Sequence, residues 1–508
     1  MVRCSFPKTY WLILGLVIAF RLLPLEGYHL EELTEGALPP GVTVETPLPR
    51  MVSEPLLGPA EYFYSRGDYR IQLKIWLLWI GAIAMIFALA RRRKLAIAAK
   101  TVLISWLGFI TFIALMVVVP LPAARLKSPG KWMQVDLHSH TWRSHDGLAT
   151  PRESLRYHQK LGYDCFFVTD HDNANGYAEF PPGVKLRSVY PGLEIRDIEG
   201  VGFLILADRE FTASEFANKS GSEIVAMAHA QGFLVISPHW WKEKRCEWEY
   251  LARLGIDGFE IFSSAYKNFD KKMQAKLIAF CKQRRLLMVG TTDWHGWGSF
   301  TDVWTLVGKK GLDQQKPGEL LDHLRQAPEV RVVVRRPPSE RFGPKSLLEP
   351  FAGAVWYFGS LSSWQATTWA GWIILLGALH AALGGRRLQS IIVFVLSQCT
   401  LAVAVLTFIR WFMVHSDNVI LVRKLGPIFS GLAVGWYFVW RSVRRRPLRP
   451  ETVGPLRRIL EQRGVTRTVV RDRVWLHGEL IEETYDRYAQ DKDANVWFFG
   501  EEAKQHDG

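Results

Sequence analysis

The sequence predicts an α/β domain, a parallel sheet or barrel, inserted between transmembrane helices, and three observations predict it. Between residues 131 and 334 short apolar runs alternate with amphipathic stretches. Long apolar runs flanked by basic clusters lie on both sides of that interval. Several of the short runs end in His beside Asp or Glu. Strand–helix alternation is the pattern of a parallel sheet, in which chemistry collects where strands end.

Composition agrees. A chain of 508 residues exceeds one ordinary domain, and 48% hydrophobic content with 21 Trp and 28 Phe is too oily for a purely soluble protein. The net charge of +14 implies no nucleic-acid partner. Much of it lies beside the apolar runs, where anionic lipid headgroups are the natural counter-ions. The five cysteines, Cys4, Cys165, Cys246, Cys281 and Cys399, show neither metal-type spacing nor a disulfide framework.

In order, residues 1–25 form a signal anchor or first transmembrane span: the apolar run 10–25 follows Arg3 and Lys8, contains Arg21 and has no clear small-residue cleavage site. Residues 26–73, rich in Pro, Glu and Gly with little periodicity, read as an irregular extracytoplasmic loop. Residues 74–122 form a transmembrane hairpin, with apolar runs at 76–90 and 102–121 and a stop at Pro120 and Pro122. The α/β domain occupies 130–336. A Pro- and Arg-bearing linker and an interfacial segment with Trp356, Tyr357 and Trp364 fill 337–365. Three spans follow within 366–441, then a charged tail, 442–508, with one small helix–strand unit at 455–475.

About six spans result. They put the basic clusters at 91–94, 386–387 and 444–446 on one side, which is cytoplasmic by the excess of Lys and Arg. The N-terminus and the tail share that side, and the α/β domain is extracytoplasmic. His380, Gln398 and Arg410 are polar within the spans; His380 and Arg410 lie within snorkelling reach of a membrane face.

Within the α/β domain the candidate strands are 135–137, 165–168, 201–206, 233–236, 258–262, 286–289, 303–307 and 330–334. Candidate helices are 151–161 behind Thr150 as N-cap, 214–231 and 269–283. The first strand runs into His138-Ser139-His140, and alternation along an extended chain puts both imidazoles on one side. The second delivers Asp170-His171-Asp172 in the same way.

The candidate ligands are His138, His140, His145, Asp146, His171, Glu194, His239, Asp293 and His295; six of the 14 histidines fall in this set. A single strand-end His is ordinarily a hydrogen-bonded structural residue. The joint pattern instead fits two or three divalent ions, with a carboxylate such as Glu194 bridging. Arg143 and Arg196 stand beside ligands and read either as bidentate phosphate clamps or as arginines on an electronegative rim. Lys242, after Trp240-Trp241, reads the same way, and the Trp pair packs on the bilayer or lines a pocket. His158, His229 and His323 sit in helical patterns and are not expected to be ligands.

Asp-Leu-His-Ser-His-Thr, Val-Thr-Asp-His-Asp, Gly-Leu-Glu-Ile, Ser-Pro-His and Thr-Asp-Trp-His, in that order, resemble the successive metal motifs of the polymerase and histidinol phosphatase (PHP) superfamily. The resemblance covers about two fifths of the chain and none of the spans. It implies a distorted (β/α)7 barrel with a di- or trinuclear Zn, Mn or Fe centre that hydrolyses phosphoesters. By position it implies one ion on His138, His140, Glu194 and Asp293, another on Asp146, His171 and His295, and a third on His239 with Glu194. Two departures stand out. Ser144-His145-Asp146-Gly147 replaces the family's Ser-Asp-Gly, leaving either His145 or Asp146 as the ligand, with Asp146 favoured. No His follows the bridging Glu within 196–206.

The mechanism so implied is in-line attack on phosphorus by a metal-bound water, without a protein nucleophile. The leading expectation is an integral membrane phosphoesterase acting on a lipid headgroup or lipid-linked phosphate, with the bilayer and that substrate as partners. A phosphatase of soluble phosphometabolites or nucleotides, and a non-catalytic receptor built on the same barrel, are the alternatives. A transport bundle is disfavoured because the spans hold few polar residues.

Overall fold

The computed structural model describes residues 7–23, 25–65, 69–90, 95–118, 123–239, 248–265, 270–296, 298, 302–312, 316, 319–326, 328–336, 346–413, 419–444, 467–476, 479–490 and 496–505. The strands are β1 (His29–Glu32), β2 (Thr43–Glu45), β3 (Arg125–Lys127), β4 (Trp132–Asp136), β5 (Cys165–Val168), β6 (Val189–Arg196), β7 (Gly202–Leu206), β8 (Leu234–Ser237), β9 (Gly258–Ser263), β10 (Leu287–Thr291), β11 (Val303–Gly308), β12 (Val330–Arg336), β13 (Arg467–Leu476), β14 (Glu479–Gln490) and β15 (Val496–Gln505). The chain divides into a unit of residues 1–440 and a second of 441–508.

Ten strands of the first unit form one mixed sheet in the order β1-β12-β11-β4-β5-β6-β7-β8-β9-β10. β4, β5 and β6 run parallel, as do β8, β9 and β10, but β7 is antiparallel to both its neighbours. The expected all-parallel alternation is broken there. Asp197 causes the reversal: its Oδ1 accepts from the Glu199 and Val201 N–H groups at 2.9 and 2.8 Å, closing a tight turn through Gly200. Helices follow β4 (Pro151–Leu161), β7 (Gly221–Ala230), β8 (Trp248–Leu254) and β9 (Lys271–Arg284), whereas β5 reaches β6 through two 3-10 turns. Helix Pro151–Leu161 starts as expected, with Thr150 and Glu153 forming a capping box. β6, absent from the sequence expectation, is interrupted in pattern by Pro191 and Gly192 yet buried along seven of its eight residues.

The sheet curls until β10 meets β11 and β12. Gly290 N–H donates to Thr305 Oγ1 at 2.9 Å, and that hydroxyl donates to Gly290 O at 2.7 Å. Past the strand ends, Asp293 N–H donates to His138 O at 2.9 Å and His140 N–H to Trp294 O at 2.8 Å. The segment after β10 is therefore stitched to the segment after β4, at the end of the sheet where the motifs lie. Alternation along β7 explains the layering. Phe203 and Ile205 pack with Ile224, Val235, Phe259 and Leu277 under the helices. Leu204 and Leu206 pack with Val135, Phe167, Ile236 and Val289 on the other face.

Residues 26–73 are not the irregular loop expected. β1 pairs antiparallel with β12 as an edge of the main sheet, β2 pairs with β3, and helices Leu48–Val52 and Glu54–Ser65 follow. Each element is too short for a periodicity window, and pairing with distant strands supplies the order that local pattern lacks.

Among the described residues four helices are long and apolar enough to cross a membrane: Ile71–Ala90, Leu95–Met116, Ser363–Leu383 and Leu388–Leu406. The first apolar run forms only a 14-residue helix, Lys8–Arg21, whose Val17 packs against Tyr62, Tyr357, Leu361 and Ile373. The last forms helix Val419–Arg444, which contains Pro427 and joins Leu95–Val118 through Trp436 Nε1–H and Thr111 Oγ1 at 2.8 Å. His380 meets Tyr10 OH at 3.3 Å, and Gln398 is exposed. The expected interfacial segment contains helix Glu349–Gly359. The basic cluster at 91–94, Pro120, Pro122, and Trp240, Trp241 and Lys242 lie outside the described residues, as do the side chains at 386–387, 410 and 444–446. In the second unit β13, β14 and β15 form an antiparallel meander. It includes the expected strand, while the expected helix before it lies outside the described residues.

Candidate metal centre

Parallel pairing of β4, β5 and β6 aligns their carboxyl ends, and β8 and β10 end beside them. From these ends come His138 and His140, His171, Glu194, His239, and Asp293 with His295. Their donor atoms fall into close groups: His138, Glu194, His239 and Asp293; His140, His171 and His295; and His145, Asp146 and His171. All of the first group are buried.

Glu194 joins the groups. Its Oε2 lies 3.0 Å from His138 Nε2, 3.4 Å from His140 Nε2 and 3.3 Å from His171 Nδ1. Asp293 Oδ1 lies 3.3 Å from His138 Nε2 and 3.1 Å from His140 Nε2, while its Oδ2 lies 3.4 Å from His239 Nε2. His239 thus lies beside His138, while His140 Nε2 reaches Glu194 and Asp293 about as closely as His138 Nε2 does and also faces the second group. Asp146 Oδ2 reaches His295 Nε2 at 3.3 Å and His171 Nε2 at 3.7 Å. His145 stays at the outer edge, 56% exposed, with its ring 4.8 Å from that of His171.

His239 and Asp293 have φ of 45° and 48°. Such values are costly for residues with a Cβ and persist only where the surroundings enforce them. At Asp293 the enforcing contact is the hydrogen bond to His138 O, which also positions the carboxylate between two imidazoles.

The electrostatics fit divalent cations. Burial alone would raise the carboxyls of Glu194 and Asp293, but the surrounding imidazoles outweigh it, led in both cases by His138, and hold both well below the usual range. Burial would lower His138 and His140, yet the same carboxylates push His138 well up and His140 to about 9. Burial and then the neighbouring His140 bring His171 down to about 3, leaving it a neutral imidazole, the form that ligates metals. Buried carboxylates that draw protons onto facing imidazoles form a donor set in which a divalent ion can replace those protons.

Three supporting carboxylates stand outside the candidate ligand set, and of them only Glu260 went unnamed in the sequence. Glu260 on β9 is fully buried, and its Oε2 lies 3.5 Å from His138 Nδ1 and 3.6 Å from His239 Nδ1. Thr291 Oγ1–H donates to its Oε1 at 2.7 Å. A lone Glu inside the apolar run Gly-Phe-Glu-Ile-Phe was the available signal. Asp136 accepts from His158 Nε2 at 3.1 Å and Thr292 N–H at 3.0 Å, which gives His158 a structural place. Asp170 accepts from Thr141 N–H and Oγ1–H, and burial pushes its carboxyl up to about 6. His323 binds Gly308 O at 2.7 Å and His229 binds Asp257 at 3.0 Å, both away from the cluster. Arg143 is held by Glu179, which also accepts from Trp142 Nε1–H at 2.8 Å. Arg196, at the exposed end of β6, donates to Gly200 O at 2.6 Å.

No protein-family model matches the chain, and no curated protein matches it significantly. Among solved structures the chain is similar to a putative metal-dependent phosphoesterase from Bifidobacterium adolescentis, at 19% identity and a TM-score of 0.27, covering 34% of this chain and 90% of that one. It is similar to an amidohydrolase from Chromobacterium violaceum with bound sulfate and no metal, at 14% identity and a TM-score of 0.27, covering 32% and 87%. PsfC from Pseudomonas syringae matches at 15% identity and a TM-score of 0.31, covering 45% and 98%. At these TM-scores the functional reading rests on the side-chain geometry alone.

Proposed function

We propose that the chain is a membrane-anchored, metal-dependent phosphoesterase of the polymerase and histidinol phosphatase type, its curled sheet being the distorted (β/α)7 barrel of that superfamily. The observation that carries this is Glu194 Oε2, one carboxylate oxygen shared by His138, His140 and His171 at 3.0–3.4 Å. An oxygen so placed would let Glu194 serve in holding more than one divalent ion, and such ions would supply Lewis acidity to phosphoryl oxygens.

His138, His239, Glu194 and Asp293 would hold one ion and His140, His171, His295 and Asp146 a second, with His145 left at the exposed edge of the set. Divalent ions there, Zn, Mn or Fe, supply Lewis acidity and lower the pKa of water. The chain's own contribution is placement. Glu260 sets its buried carboxylate 3.5 Å from His138 Nδ1 and 3.6 Å from His239 Nδ1, on the side of each ring opposite the Nε2 atom that faces the centre. Arg196 and Arg143 stand on the rim as cations for the phosphate, Arg143 exchanging Glu179 for substrate. Burial of Glu194 and Asp293 keeps their charges unscreened at the reacting end.

The membrane layout belongs to the same reading. Six spans, with the short first helix and Val419–Arg444 added to the four long apolar ones, leave the barrel outside the cytoplasm and the tail within it.

The test is metal content and phosphoester hydrolysis of the purified full chain beside a His138→Ala/His140→Ala variant. Two or more ions per chain and activity lost in the variant are expected. A protein that binds no metal and hydrolyses neither a phosphomonoester nor a diester after Mn or Zn is added would leave the receptor reading in its place.

A further inference from the structure

A buried polar hub ties the barrel to the helical part of the chain. Arg335, near the end of β12, pairs with Glu61, and Arg50 pairs with Glu61 at 2.6 Å and with Glu54. Glu54 also accepts from Tyr357 OH at 2.9 Å and Gln365 Nε2–H at 2.8 Å. Gln365 lies in the first turn of the apolar helix Ser363–Leu383. Trp76, near the start of the apolar helix Tyr69–Ala90, donates to Glu349 at 3.0 Å. The hub therefore lies at the N-terminal end of one candidate span, and the separate Trp76–Glu349 pair ties a second to helix Glu349–Gly359. Burial would raise Glu61, but Arg335 and Arg50 outweigh it and hold its pKa at about 2, whereas at Glu54 burial prevails and pushes the carboxyl up.

Strand direction tells which end of the barrel this hub meets. β12 is antiparallel to β11, and β11 is antiparallel to β4, so β12 runs parallel to β4. Thr305 is opposite Val135, and Val303 is opposite Val334. Carrying the first register on by two residues sets Val303 beside Leu137, so Arg335 is level with His138. Two inter-strand steps separate them, roughly 10 Å across the sheet. β1 enters from the same end, with His29 opposite Arg336. The ligand-bearing end of the barrel is thus the end joined to the spans. On that rim the β6–β7 turn presents Ile198 at 66% exposure, two residues beyond the exposed Arg196.

We propose, resting on the phosphoesterase reading above, that the barrel opens toward the membrane and takes a phosphoester carried by a lipid, with Ile198 dipping into the acyl boundary while Arg196 meets the headgroup phosphate. A rim whose cation and apolar tip lie next to each other suits an anionic headgroup on an apolar tail.

The experiment uses the full chain in nanodiscs with Mn or Zn. Phosphatidic acid and phosphatidylglycerol are supplied as long-chain lipids in the disc and, separately, as their water-soluble dihexanoyl forms. The lipid-borne phosphoester is expected to be hydrolysed with the higher kcat/KM. Ile198→Asp should lower that value by about tenfold, the effect of losing one buried apolar side chain, and leave the soluble form unchanged. Glu61→Gln, which loosens the hub, should act in the same direction. Equal kcat/KM for the two forms, or a variant that lowers both alike, would overturn the membrane-facing opening while leaving the phosphoesterase intact. Hydrolysis of neither form, in the presence of bound metal, would overturn both.

Discussion

Glu260 Oε2 stands 3.5 Å from Nδ1 of His138, on the side of the ring that faces away from Glu194 and Asp293. Carboxylates thereby face the ring on both of its nitrogen sides, with Nε2 3.0 Å from Glu194 Oε2. Removing the Glu260 carboxylate should weaken the metal rather than the fold: Glu260→Ala is expected to lower metal affinity about 10–100-fold. Competition with a chromophoric chelator measures it. An unchanged affinity would mean that His138 is oriented by packing alone.

Proton and metal should compete at His140. Burial lowers its pKa, but the Asp293 and Glu194 carboxylates outweigh burial and set it near about 9, above the ordinary 6.5. A raised folded-state pKa stabilises the metal-free protein fully below pH 6.5 and stops doing so as pH rises through about 9. The melting temperature of the metal-free chain should therefore fall across that window. Metal affinity should rise over the same interval, because the ion needs the unprotonated ring. Parallel curves with and without metal would count against His140 as a ligand.

Asp146 and His145 separate by variant. Asp146→Asn removes the charge between His171 and His295 and should cost one ion per chain, whereas His145→Ala, at the exposed edge, should leave the count unchanged. Metal analysis of the two proteins decides it, and the reverse pattern would make His145 the ligand.

The seam of the curled sheet offers a stability test. A Cβ at Gly290 would lie 2.4 Å from Val303 Cγ2 and 2.6 Å from Val332 Cγ1, so Gly290→Ala is expected to cost about 1–3 kcal/mol by overpacking. Thr305→Val keeps the shape but strips the bridging hydroxyl from Gly290 N–H and C=O, with an expected loss of about 1–3 kcal/mol. Thermal melts of the solubilised chain should show both. If neither variant shifts the melt, the seam does not hold the curl.

Much of the candidate metal centre was legible because the geometry of a donor group is partly local. Alternation along a strand is enough to put His138 and His140 on one side, and apolar runs mark where strands end, so His171, His239 and His295 could be named as candidates. β6 was harder to read: Pro191 and Gly192 interrupt its pattern, although Glu194 within it stood out by its motif. Residues 26–73 were illegible for a different reason, since β1 is a strand only because β12 offers it an edge.

The sequence by itself determined which side chains are donors and that they ride on strand ends, because residue type and two-residue alternation are properties of a few neighbours along the chain. Only the tertiary structure decided that Glu260 lies behind His138 and His239, that His140 stands between two groups, and that Arg335 is level with His138 at the end joined to the long apolar helices. Each of those depends on which strands become neighbours and in what direction, and that is settled by burial and hydrogen bonding among residues tens to hundreds of positions apart.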